Sequence, residues 1–216
     1  EAYHYLRDRL KLHDGIPYTT DWSAAPDFLK LIVEHCLEHK PQTIVECSSG
    51  TTTLMLARCC EMNGRGRVFS LENGADYTEQ SRGHLQRYGL ESQASVLHAP
   101  LIPYEINDVR FEWYDLDVLP EGSIDMLVID GPPGFLQRHS RYPALPLLKD
   151  KLAAGCVIFM DDAARAVTDS SQFCRVVWNR CGVFVFFVFD VQPDRRKPRD
   201  HGPGQGPARV PDLTGQ

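Results

Sequence analysis

Thr43-Ile44-Val45-Glu46-Cys47-Ser48-Ser49-Gly50-Thr51-Thr52-Thr53-Leu54-Met55-Leu56-Ala57-Arg58-Cys59-Cys60-Glu61-Met62 runs from a short apolar stretch through a turn of small residues into a segment whose apolar positions recur at helical spacing. It reads as strand, loop and helix. A Ser-Ser-Gly turn lets a ligand approach the main chain, and the threonine hydroxyls that follow can cap the N–H groups left free at the helix start. Residues 67–71 form a second apolar-rich run that ends in Glu72. That is the distance at which an acidic residue meets the ribose of a bound nucleoside. The same residues also fit a plain βα connection with Glu72 as an ordinary strand-end acid.

A chain of 216 residues with 43% hydrophobic content can bury one substantial core, which predicts a single α/β domain. The formal charge of -6 argues against a broad electrostatic footprint for nucleic acid. The seven cysteines (Cys36, Cys47, Cys59, Cys60, Cys156, Cys174 and Cys181) form no C-x-x-C pair and sit mostly in apolar runs, as reduced buried thiols of a cytoplasmic protein do. No apolar run approaches the ~18 residues of a membrane span. The first residues carry no signal-peptide pattern; because they also lack an initiating Met, a removed leader would leave no trace.

Around the opening stretch the chain keeps an alternating rhythm. Phe28, Leu29, Ile32, Val33, Cys36 and Leu37 recur at helical spacing before Pro41, and Tyr3, Tyr5, Tyr18 and Trp22 ahead of them supply surfaces for a lid or a core cover. Residues 75–88 read as a helix stopped by Gly89, residues 94–98 as a third strand, and residues 110–115 as a small extra strand. Residues 124–130 are a fourth strand ending in Asp130, followed by the loop Gly131-Pro132-Pro133-Gly134. A helix is expected over 143–154 with Gly155 as its stop, a fifth strand over 156–160 ending in Asp161-Asp162, and a further helix over 168–180. Residues 182–191 are strongly β-branched and aromatic with apolar residues on both faces, which predicts a strand inside the sheet or under a helix. Strands alternating with helices imply a Rossmann-like, doubly wound, mostly parallel sheet with helices on both faces. The organisation expected is a lid segment and covering helix over 1–41, a cofactor-binding domain over 42–191, and a disordered tail over 192–216.

Glu46 through Thr52, then Glu72, then Asp130-Gly131-Pro132, then Asp161-Asp162, each at a strand end, resembles a class I S-adenosylmethionine-dependent methyltransferase over residues 26–191. The likeness is to small bacterial-type members loosely related to the catechol O-methyltransferase group. It implies that Glu46 orients the methionine amino group through the loop and that Ser48, Ser49 and Gly50, with Thr51 beside them, offer backbone N–H groups to the cofactor. Glu72 would take the ribose hydroxyls, Asn73 would lie beside the adenine, and His98 with Ala99 would border its ring. Asp130 would sit where methionine and substrate meet. Two departures stand out: Ser48 replaces the family's first loop glycine, and one strand is evident where the fold usually finishes with two antiparallel ones.

In catechol-type enzymes an Asp ending the fourth strand and an Asp-Asn pair ending the fifth hold a divalent ion. Asp130, Asp161 and Asp162 occupy the matching places, and three such carboxylates would suit Mg²⁺. The lysine that group uses for catalysis is Pro133 here. The other reading is that Asp130 contacts the cofactor while Asp161 and Asp162 cap the next segment or pair with Arg141 or Arg165. His139, Arg141 and Tyr142 lie near the same rim, Arg141 as an anchor for an anionic substrate. The function expected is methyl transfer to a small molecule, at oxygen, with Asp130 and Asp161 as catalytic carboxylates. A non-catalytic module on the same fold and a dinucleotide-dependent oxidoreductase are the alternatives, the latter opposed by the missing third glycine of G-x-G-x-x-G.

Overall fold

The computed structural model describes residues 2–17 and 24–161, together with the backbone of 184–187. Along the chain, α1 (Ala2–Arg9) and α2 (Pro26–His39) precede β1 (Thr43–Cys47), α3 (Thr51–Asn63), β2 (Arg67–Glu72), α4 (Ala75–Tyr88) and β3 (Ala94–His98). Then come β4 (Leu101–Ile106), β5 (Val109–Tyr114), β6 (Ile124–Ile129), α5 (Ala144–Leu148), β7 (Leu152–Met160) and β8 (Phe184–Phe187). Six strands form one sheet in the order β3-β2-β1-β6-β7-β8, and every pairing in it is parallel. The order turns back at β1, so β1 and β6 flank the point where connections leave to opposite faces, and open α/β sheets bind ligands there, at the carboxyl ends.

Both faces of the central strands are buried, which is why β1 and β6 read as nearly continuous apolar runs. On one face Ile44, Val68, Met126, Val128 and Phe159 join Phe28, Leu29 and Ile32 of α2, Leu54 and Met55 of α3, and Leu6 of α1 in one cluster. On the other, Val45, Leu71, Leu127, Ile129 and Ile158 pack with Trp113, Tyr114, Ala144 and Leu148. Each Leu or Ile so buried contributes about 1.5–3 kcal/mol relative to exposure. Among the described residues the second face is covered by an antiparallel β4–β5 hairpin and the short helix α5.

Several expectations are corrected. The extra strand is half of the hairpin: β4 carries Pro103 in mid-strand, a residue that argues against a strand, yet among the described residues the pair has no neighbour on either side and Pro103 is tolerated. Its turn, Asn107-Asp108, takes positive φ at both residues (52° and 62°), the geometry of a tight hairpin turn. The helix expected over 143–154 stops at Leu148, and a 3₁₀ turn (Lys149–Lys151) follows. Gly155 lies inside β7, at φ 83°, where the pairing with β6 shifts register. Among the described residues β8 pairs with β7 alone and forms the sheet edge, not an interior strand. The expected helix over 168–180, the tail over 192–216, Tyr18, Trp22, Asp162, Arg165, Cys174 and Cys181 lie outside the described residues. Cys36, Cys47, Cys59, Cys60 and Cys156 are buried free thiols. No helix among the described residues is long and apolar enough to cross a membrane.

Candidate active site

Three main-chain hydrogen bonds align the strand ends. Ser48 N–H donates to Leu71 O (2.9 Å), Asp130 N–H to Cys47 O (3.1 Å) and Asp161 N–H to Ile129 O (3.0 Å). The small-residue turn, Asp130 and Asp161 thereby stand in a row along one edge. Glu72 continues the row on the other side of β1, with Ala99 N–H donating to Glu72 O at 2.7 Å.

Glu46 is fully buried on the α3 side, and its carboxyl accepts hydrogen bonds from Thr52 Oγ1, from Thr53 Oγ1 (2.6 Å) and from Ser70 Oγ (2.6 Å). Burial raises its pKa to about 7 despite those three donors, with Glu72 adding to the rise. Glu46 is thus the internal brace that ties the first turn of α3 to β1 and β2. The threonines were expected to cap the helix. Thr53 Oγ1 does accept from Gly50 N–H (3.1 Å), but the Thr52 and Thr53 hydroxyls are directed at Glu46.

Ser48 takes φ 121° and Gly50 φ 137°, so the serine adopts the conformation its glycine counterpart would hold with less strain. Of the three expected main-chain donors, Ser48 N–H and Gly50 N–H are used within the protein; among the described residues Ser49 N–H is the one without an internal acceptor. The Ser49 hydroxyl donates to Glu72 Oε2 (2.8 Å) and meets Ser81 Oγ at 2.9 Å, while Gly74 N–H donates to Glu72 Oε1 (2.9 Å). Glu72 is held pointing across the turn with 7% of its surface exposed. Ser81 was not singled out from the sequence, although Thr78, Ser81 and Leu85 share the helical spacing of the buried face of α4. Thr51 is buried beside the turn; Asn73 is half-buried, His98 exposed and Ala99 wholly buried beneath it.

Arg141 closes the other end. Its guanidinium donates to Asp130 O (2.8 Å), Asp130 Oδ1 (3.1 Å) and Asp161 O. It thereby ties the two strand ends together. Burial pushes the Asp130 carboxyl well above the usual range; Arg141 opposes this, and Asp161, which is hydrogen-bonded to it, reinforces it. His139 is exposed at φ 56°, and Tyr142 leans on Phe111 with ring centroids 5.4 Å apart, so neither reaches the carboxylates.

Of the three carboxylates expected to hold Mg²⁺, Asp162 lies outside the described residues, and Asp130 and Asp161 are both tied to Arg141. Asp130 Oδ1 and the carbonyls of Asp130 and Asp161 already face a fixed cation, which would repel an ion placed at ~2.1 Å from the same oxygens. Among the described residues no three His, Cys, Asp or Glu side chains converge as a metal group.

The family model described as a methyltransferase domain matches residues 45–163, from β1 through Asp161, more than half of the chain. Among solved structures, an O-methyltransferase from Bacillus cereus in complex with SAH is 17% identical with a TM-score of 0.50, the match covering 78% of this chain and 72% of that one. The O-methyltransferase TomG from Streptomyces achromogenes, in complex with SAM, is 18% identical with a TM-score of 0.52 over 81% of this chain and 71% of that one. A putative O-methyltransferase from Klebsiella pneumoniae is 19% identical with a TM-score of 0.50 over 79% and 71%. No curated protein matches. At these identities the structural likeness speaks for the fold, and the family match speaks for the family: the chain belongs to the methyltransferase-domain family, as an S-adenosylmethionine-dependent methyltransferase.

Proposed function

We propose that the chain transfers a methyl group from S-adenosylmethionine to an oxygen of a small molecule without a metal ion. The observation that carries this reading is the row of polar groups at the carboxyl ends of four neighbouring parallel strands: Ser48-Ser49-Gly50 after β1, Glu72 after β2, Asp130 after β6 and Asp161 after β7. The cofactor complexes of the Bacillus and Streptomyces enzymes support the donor, and their description as O-methyltransferases supports the acceptor atom. S-adenosylmethionine supplies a sulfonium-bound methyl open to in-line displacement.

The chain's own residues bind, orient and take the proton. Glu72 accepts the ribose hydroxyls, Asn73 and His98 border the adenine over Ala99, and Ser49 N–H with Thr51 faces the methionyl part. Glu46 keeps the turn rigid from below. Asp130, fixed by Arg141, faces the reacting centre, and Asp161 receives the acceptor hydroxyl's proton as the new O–C bond forms and the sulfur–methyl bond breaks. Most of the acceleration comes from positioning and exclusion of water. The buried free thiols support a reducing compartment, the cytoplasm.

Calorimetric titration with S-adenosylmethionine, S-adenosylhomocysteine, NAD and NADP tests the donor. Binding of the first two without the last two is expected; binding of NAD or NADP alone would favour an oxidoreductase. Loss of the ribose contact in Glu72→Ala is expected to weaken S-adenosylhomocysteine by roughly thirtyfold or more, about 2–3 kcal/mol. Equal affinity would place the ribose elsewhere.

A further inference from the structure

We infer that the Tyr114 hydroxyl is a further positioning group of the cofactor site, donating a hydrogen bond to the carboxylate of the methionyl part of S-adenosylmethionine. This rests on the proposed methyl donor. Tyr114 is the last residue of β5 and is 1% exposed. Its main chain is fixed three ways: it pairs with Leu101, its carbonyl accepts from Tyr104 Oη (3.1 Å), and the next residue's N–H donates to Pro100 O (2.9 Å). Its ring packs edge-on against Trp113, with centroids 5.2 Å apart.

The hydroxyl reaches the junction of the two ligand loops. A Cβ placed on Gly131 would lie 2.3 Å from Tyr114 Oη, 3.1 Å from Ser48 Cβ and 3.2 Å from Cys47 O. A side chain at 131 would therefore displace the phenol, and glycine there leaves it room between the turn after β1 and the loop after β6. Among the described residues Tyr114 Oη makes no hydrogen bond. Burial and the nearby Cys47, Glu72 and Asp130 hold the phenol well above its ordinary pKa, so it stays a donor at neutral pH. Glu72 is assigned to the ribose, and the junction beside Ser48 and Gly131 lies one strand further along the row. The anionic group that a methionyl chain carries to that place is its carboxylate. Arg141, paired with Asp130 at 3.1 Å, supplies the positive charge at that junction.

The test compares two probes on the parent and on Tyr114→Phe. S-adenosylhomocysteine has the carboxylate; 5′-methylthioadenosine keeps adenine, ribose and sulfur but lacks the amino-acid part. Tyr114→Phe is expected to bind S-adenosylhomocysteine about tenfold or more weakly, with 5′-methylthioadenosine unchanged, as for a lost hydrogen bond to a charged group. An unchanged melting temperature is the folding control. Equal weakening for both probes would make Tyr114 a structural support and overturn the assignment, as would unchanged affinity for both. A parent that binds neither probe would instead refute the methyl donor itself.

Discussion

At the scale of single residues, two side chains in the turn region work against their surroundings. Ser48 holds φ 121°, a conformation in which an L side chain is strained by ~1 kcal/mol or more. Ser48→Gly is therefore expected to raise stability by about that amount, and Ser48→Ala to leave it unchanged, as read from urea midpoints at constant slope. A gain from alanine would trace the effect to the hydroxyl. Glu46 is the second case. Its pKa is raised to about 7 by burial, so the folded state disfavours its charged form. Its contribution to stability is fully present below the ordinary carboxylate range and is lost as pH rises through about 7, on the order of 3 kcal/mol in all. Glu46→Gln is expected to flatten the fall in melting temperature between pH 5 and pH 8. A slope identical to the parent's would mean that another group titrates there.

At the scale of elements, what was legible in the sequence followed from local pattern. β1, β2, β3 and α4 fall where the apolar periodicity and the stops at Gly64 and Gly89 place them, because each is a short stretch with strong local signals at its ends. The strand-end acids Glu72, Asp130 and Asp161 were readable for the same reason. The hairpin and α5 were not, since Pro103 is tolerated only by a strand whose outer neighbours are missing, and no local rule reveals that. Nor could Arg141's position be read: its bonds join the loop after β6 to the end of β7, a long-range closure. Gln137 makes a similar one. Its side chain accepts from Glu112 N–H (3.0 Å) and donates to Glu112 O (2.7 Å), pairing with β5 as a strand would. Gln137→Ala is expected to lose about 2 kcal/mol, lowering the melting temperature by several degrees and speeding hydrogen exchange at Glu112. Unchanged exchange there would show that the loop is anchored by other contacts.

At the scale of the whole molecule, the site is assembled from four strand ends and one arginine, and its charge balance is internal. Turnover is accordingly expected to survive EDTA unchanged, whereas Arg141→Ala is expected to weaken S-adenosylhomocysteine and activity together by leaving Asp130 and Asp161 without their cation. Activity abolished by EDTA and restored by Mg²⁺ would return the carboxylates to metal ligation. The strand order also bears on how the chain emerges from the ribosome. Ile44 finds its partner Val68 early on one side of β1 but waits for Met126 on the other. At ~5–20 residues per second, β1 spends several seconds as a bare apolar edge, open to strand pairing with other nascent chains. The strand that finally carries the Ser48-Ser49-Gly50 turn is thus, during synthesis, a place where misassembly is exposed and where a chaperone would have much to cover.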